Sequence, residues 1–275
     1  MKRFPEIGVF LLSLAVFAHT LFTNLDHGLW MDELITIKFA DVNWSLAQSI
    51  EWWAGFDNHP YTYYLLLRGW LHLTAMDEIT SKLLNPLLFV LSAFLSYRVW
   101  PKDRSREFVY FLSLMMTSAW VIFYLIEIRM YGVLVSTSFF AASCVYAIQF
   151  HMRSNAITLE PVYKSFNYLV LSIIILMALD TWGVLFGSGI LFSVLARYKE
   201  LRARVITKWP LYLGLTIFVG IVGLQHLHIL SLYQGLSTLK GFSEQLTAWE
   251  FFALMMTEFW EQTFVTGRSQ FIAAG

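Results

Sequence analysis

The chain has 275 residues, of which 57% are hydrophobic, 17% aromatic and only 14% charged. No water-soluble domain needs that much apolar surface, so the composition predicts a protein that crosses a membrane several times. Its 19 basic and 19 acidic residues cancel, which leaves no charge field to attract nucleic acid, and the single Cys144 excludes an internal disulfide and is read as a packing residue.

Crossing the hydrocarbon core takes about 20 apolar residues. In chain order, spans are predicted over roughly 7–25, 80–100, 107–127, 131–150, 166–182, 183–198 and 209–227. The first follows Lys2-Arg3, as a signal peptide would. Its apolar stretch is too long for one and no small-x-small cleavage site follows, so it is read as a retained helix. Trp30-Met31-Asp32-Glu33 stands at the mouth of this first span. Residues 45–53 read as a short surface helix and 61–76 as a juxtamembrane helix. Arg68 and His72 sit in the middle of the latter's short apolar stretch, where a true span would have to hide both from lipid. After 228 the chain turns polar, then runs through an apolar stretch, 249–264, interrupted by Glu250, Glu258 and Glu261.

The expected fold is therefore all-α and integral to the membrane, with about seven transmembrane helices. Residues 1–228 would form the membrane module, with juxtamembrane helices in a long outer loop, 26–79. Residues 229–275 would form an extracytoplasmic or membrane-associated tail.

Basic residues set the orientation. Lys2-Arg3, Lys102 to Arg106, Arg153 with Lys164, and Arg197 to Lys208 fall on alternate sides of the spans. Placing all of them in the cytoplasm puts the N-terminus there too. Asp32, Glu33, His59, Glu127, Arg129, Tyr131, Asp180, His226 and His228 then gather at the extracytoplasmic face. Trp44, Trp52, Trp53, Trp70, Trp182 and Trp249 fall near predicted interfaces, as amphipathic rings do. His226-x-His228 would diverge on a helix, so no metal pair is assigned there. Gly183-x-x-x-Gly187 reads as a helix-contact surface.

Three motifs stand in order on the outer side: Asp32-Glu33, then His59-Pro60-Tyr61-Thr62-Tyr63-Tyr64, then Glu127-Ile128-Arg129-Met130-Tyr131. Over roughly residues 5–200 this order resembles the GT-C glycosyltransferases. The nearest branch holds the protein O-mannosyltransferases and the bacterial enzymes that attach aminoarabinose or galacturonic acid to lipid A. Two departures stand out. Relatives carry His-Pro-Pro where this chain has Tyr61, and many carry Thr-His-Tyr-Tyr-Gly where it reads Leu179-Asp180-Thr181-Trp182-Gly183. The family also has more spans and a longer tail, so the chain is expected to be a truncated or minimal member.

The resemblance implies transfer of a sugar, with inversion, from a polyprenyl-phosphate carrier to a lipid, glycan or protein acceptor at the extracytoplasmic face of a bacterial inner or plasma membrane. Asp32 would then be the base that takes the acceptor proton, with Glu33 supporting it. Arg129, and second to it Arg68, would hold the departing phosphate. His59, Tyr63, Glu127, Tyr131 and Asp180 complete the expected binding residues, although tyrosines in this pattern more often pack a surface helix. No cofactor is assigned, and a divalent metal beside Asp32 is compatible with the resemblance. The alternatives are a transporter or flippase, which would place charges at the bilayer midplane and interrupt its spans in matching halves, and a non-catalytic member of the family.

Overall fold

The computed structural model describes residues 4–25, 28–57, 59–154 and 158–208, with 212, 220 and 223–224. Two compact units divide the chain, Met1–Ile229 and Leu230–Gly275. The second unit, His226, His228, Trp249 and nearly all of the predicted span 209–227 lie outside the described residues.

Every element among the described residues is helical. The order is α1 (Phe4–Asn24), α2 (Met31–Phe39), α3 (Leu46–Phe56), α4 (Thr62–Leu73), α5 (Glu78–Val99), a 3₁₀ turn (Lys102–Arg104), α6 (Ser105–Thr117), α7 (Ala119–Ile126), α8 (Tyr131–Arg153), α9 (Glu160–Leu179), α10 (Thr181–Arg197) and α11 (Lys199–Thr207). Four helices are long and apolar enough to cross a membrane: Glu6–Asn24, Glu78–Val99, Tyr131–Arg153 and Glu160–Leu179. The bent pair Lys102–Thr117 and Ala119–Ile126 makes a fifth if it counts as one span. The expectation of about seven thus exceeds what the described residues show. The 183–198 stretch falls in α10, a helix of 17 residues and shorter than the four candidate spans. Leu11, Leu12, Phe22, Phe94 and Phe192 all point outward, a surface suited to lipid and unsuited to water.

The predicted span 107–127 is broken. At Ser118 the backbone is extended, and its hydroxyl accepts the Val121 N–H at 3.5 Å to start α7. Capping by a side-chain oxygen lets a new helix begin on a new axis, and α7 leaves α6 at 64°.

Between α1 and α5 the chain carries three short helices where two were expected. In α3, Ser45 and Gln48 cap one another reciprocally, with the Ser45 N–H donating to Gln48 Oε1 at 2.9 Å and the Gln48 N–H to Ser45 Oγ at 3.2 Å. In α4, Tyr63, Tyr64, Leu67 and Leu71 form one buried stripe while Leu65, Leu66 and Leu73 remain exposed, the pattern of a helix lying on a surface. The unexpected element is α2, which begins at the Asp-Glu motif itself. Trp53, read as an interface anchor, is instead buried against Tyr61 in the core beneath these helices, while Trp52 is exposed.

Two glycines set helix approach at α9–α10. A Cβ on Gly183 would strike the Leu176 carbonyl oxygen, and one on Gly187 would lie 3.0 Å from Ile173 Cγ2. Gly189 faces open space. Gly183→Ala is expected to cost about 1–3 kcal/mol, because a backbone carbonyl cannot move aside. Gly189→Ala should leave the melting temperature unchanged or slightly raised. Thermal melts of both variants in detergent check the contrast.

Charge is sorted along the bundle. Arg106 pairs with Glu6 at 2.7 Å, joining the starts of α6 and α1. Arg98, Arg153 and Arg197 close α5, α8 and α10 at their C-terminal turns. The Asp-Glu motif, Glu127, Arg129 and Asp180 belong to the opposite helix ends.

Candidate functional site

The loop between α7 and α8, residues 127–130, is short and would be free to move if left alone. Three elements hold it. From α2, Glu33 accepts the Ile128 N–H at 2.8 Å with one carboxylate oxygen, and with the other it accepts the Trp30 N–H at 3.2 Å. From α5, the Asn85 amide donates to the carbonyls of Glu127 at 2.6 Å and Arg129 at 3.0 Å. Within the loop, the Arg129 N–H donates to the Glu127 carbonyl at 2.8 Å. Tyr63 of α4 donates its hydroxyl to Asn85 Oδ1 at 3.4 Å. Asn85 fits beside the loop only because position 132 is glycine: a Cβ there would lie 2.6 Å from the Asn85 side chain.

The pinned loop presents Arg129. Its guanidinium is buried yet reaches Asp32 Oδ2 at 3.4 Å and lies over the Tyr131 ring at 5.9 Å. Burial disfavours the Arg129 charge, but Tyr64, Tyr131, Asp32 and Asp57 together outweigh it and hold the guanidinium protonated more firmly than usual. The Asp32 side chain is 49% exposed, so one member of the pair is open to an incoming molecule and the other is fixed. Sequence separation between the two is nearly a hundred residues, and the fold brings them into contact.

Beside them lies Asp57, a residue sequence reasoning passed over. The His59 N–H and ring Nδ1 both meet Asp57 Oδ1 at 2.9 Å, and Tyr64 donates its hydroxyl to the other oxygen. Burial opposes the Asp57 charge, and the contacts from His59 and Tyr64 overcome it, keeping the carboxyl below its usual range. With Nδ1 held by Asp57, the other His59 ring nitrogen is the one left for a ligand. The Trp53 indole N–H fixes the same segment by donating to the His59 carbonyl at 2.6 Å.

Several expected site residues serve the scaffold instead. Arg68 donates to the carbonyls of Asp41 and Trp44, the latter at 2.5 Å, and so clamps the α2–α3 turn. Tyr63 is almost wholly buried behind Asn85 and positions the loop without facing a substrate. Glu33, expected to assist Asp32 chemically, has both carboxylate oxygens on backbone N–H groups. Asp180 is buried and caps α10 through the Trp182 N–H at 2.8 Å, while also acting electrostatically on Tyr131. The signals for the residues that were missed are plain in hindsight. Asn85 is a polar residue before Pro86 inside an apolar run, and Asp57 stands two residues before the His-Pro pair.

An apolar cleft of about 420 Å³ opens where α6 breaks from α7 against α8. Phe111, Met115, Val121 and Phe139 line it together with Tyr124 and Tyr131, and the Arg129 guanidinium lies over the Tyr131 ring. Among the described residues, no group of three or more His, Cys, Asp or Glu side chains is arranged to hold a metal ion. Comparison with known proteins finds no matching family model, no similar curated protein and no similar solved structure.

Proposed function

We propose that this chain is a membrane glycosyltransferase that moves a sugar from a polyprenyl-phosphate carrier to a hydroxyl-bearing lipid, glycan or protein acceptor at the extracytoplasmic face. The observation that carries the reading is the Asp32–Arg129 pair at 3.4 Å, an accessible carboxylate against a buried, rigidly held guanidinium. An arginine fork suits phosphate oxygens, and a carboxylate suits proton removal. The cleft edged by Tyr131 supports a donor whose tail stays in hydrocarbon, because a prenyl chain leaves lipid only at high cost.

In this mechanism the donor phosphate takes over the Arg129 guanidinium and releases Asp32. The acceptor hydroxyl gives its proton to Asp32 as its oxygen attacks the anomeric carbon. The bond from that carbon to the phosphate oxygen breaks with its electron pair going to the phosphate, whose added charge Arg129 stabilises. Attack opposite the leaving phosphate inverts the anomeric centre. A transporter would interrupt spans in matching halves; the break at Ser118 has no counterpart among the other described helices that pass as spans.

The test is turnover by the purified protein in uncharged-lipid nanodiscs, supplied with undecaprenyl- or dolichyl-phosphate sugars and a hydroxyl acceptor. Release of free polyprenyl phosphate with a product of inverted configuration is expected. No release from any such donor sinks the reading.

A further inference from the structure

The Asp32–Arg129 pair leaves one buried group beside it unused. Glu127 is 7% exposed, and its Oε2 has no hydrogen-bond partner; neither has Nε of Arg129. A carboxyl so placed ordinarily finds a donor or is neutralised by a proton. The groups that act on it are Asp32 and Glu33 from α2, Tyr63 from α4, Tyr124 from α7, Arg129 from its own loop and Tyr131 from α8. Of these only Arg129 carries positive charge. With Asp57 added, four carboxyl groups surround a single guanidinium, which is a poor setting for an anion unless one of them takes up a proton.

We propose that Glu127 is the proton-holding member of an anion site it forms with Arg129, so that a phosphodiester binds there together with one proton. This rests on the phosphate-transfer reading above and specifies how its donor is held. The protonated carboxyl donates through its O–H to a phosphate oxygen while Arg129 supplies the charge, and the orphaned Oε2 is the atom placed to do so. Burial, against the pull of Arg129 and with repulsion from Glu33 and Asp32, already lifts the Glu127 carboxyl to about 7 in the empty site. A bound anion lifts it further. The sign follows: binding is strongest below that value and weakens as pH rises through it.

The probe is farnesyl ethyl phosphate, a diester that keeps one negative charge across the range, titrated calorimetrically into the protein in uncharged-lipid nanodiscs. Affinity should fall about tenfold from pH 6 to pH 8, the limit for one linked proton on a group at about 7. At pH 8, buffers of different ionisation heat should report about one proton taken up per diester bound. Glu127→Gln, neutral at every pH, should bind with no pH slope and no proton uptake. His59→Gln, which removes the ring paired with Asp57 beside the site, should keep both. Equal wild-type affinity at the two pH values overturns the proposal, as does a slope that survives in Glu127→Gln. The wild-type slope and proton count, with His59→Gln, decide the matter if Glu127→Gln does not fold. Absence of binding at both pH values removes the phosphate reading itself, and the proposal with it.

Discussion

Asp32→Asn is expected to lower sugar transfer by about 10²- to 10⁴-fold, the range for losing a general base, while the protein melts within a degree or two of wild type. The stability half follows from exposure. The Asp32 side chain is half in solvent and its ion pair with the buried Arg129 is 3.4 Å long; with solvent screening the carboxylate, such a pair contributes about 1 kcal/mol. Asparagine has the same shape and still accepts a hydrogen bond from Arg129, so the donor site survives and the Michaelis constant for the donor should change far less than turnover. Product formation and a thermal melt on the same preparation check both halves. Wild-type turnover by this variant would remove Asp32 from the chemistry.

Glu33→Ala, one residue away, should behave in the opposite way. It strips a buried carboxylate from two backbone N–H groups, Ile128 at 2.8 Å and Trp30 at 3.2 Å. Each hydrogen bond to a charged group is worth about 1.5–3 kcal/mol, so the loss is about 3 kcal/mol or more. The melting temperature should drop by several degrees, and transfer should fall with it because the 127–130 loop no longer holds Arg129 in place. Glu33→Gln keeps one acceptor oxygen and should fall between the two. A Glu33→Ala protein as stable as wild type would refute the clamp.

That two adjacent acids should differ so sharply marks how much the sequence discloses. Asp32 and Arg129 stand out because charge is scarce in an apolar chain, and the structure does bring them into contact. Their division of labour with Glu33 was hidden, since only the start of α2 at Met31 aims Asp32 at solvent and Glu33 at the Ile128 amide. Asn85 stands out as a polar residue in an apolar run, but its role was hidden because it is shared with Gly132: the amide fits only where a Cβ is missing on the facing helix. The break at Ser118 was equally hidden, as hydropathy reads composition and a hydroxyl that starts a new helix barely changes it. The role of Arg68 in the scaffold was hidden for a similar reason, since the two backbone carbonyls that hold it lie more than twenty residues away in the chain.

The bond between Glu33 and Ile128 joins the immediate chain neighbours of Asp32 and Arg129. Neither main chain can therefore withdraw without tearing that bond, whereas the exposed Asp32 side chain can rotate away with the bond intact. Rotations of exposed side chains take picoseconds to nanoseconds, whereas enzymes turn over at about 1–10³ per second. Under the proposed transfer reaction, parting of the two charges would therefore not limit turnover.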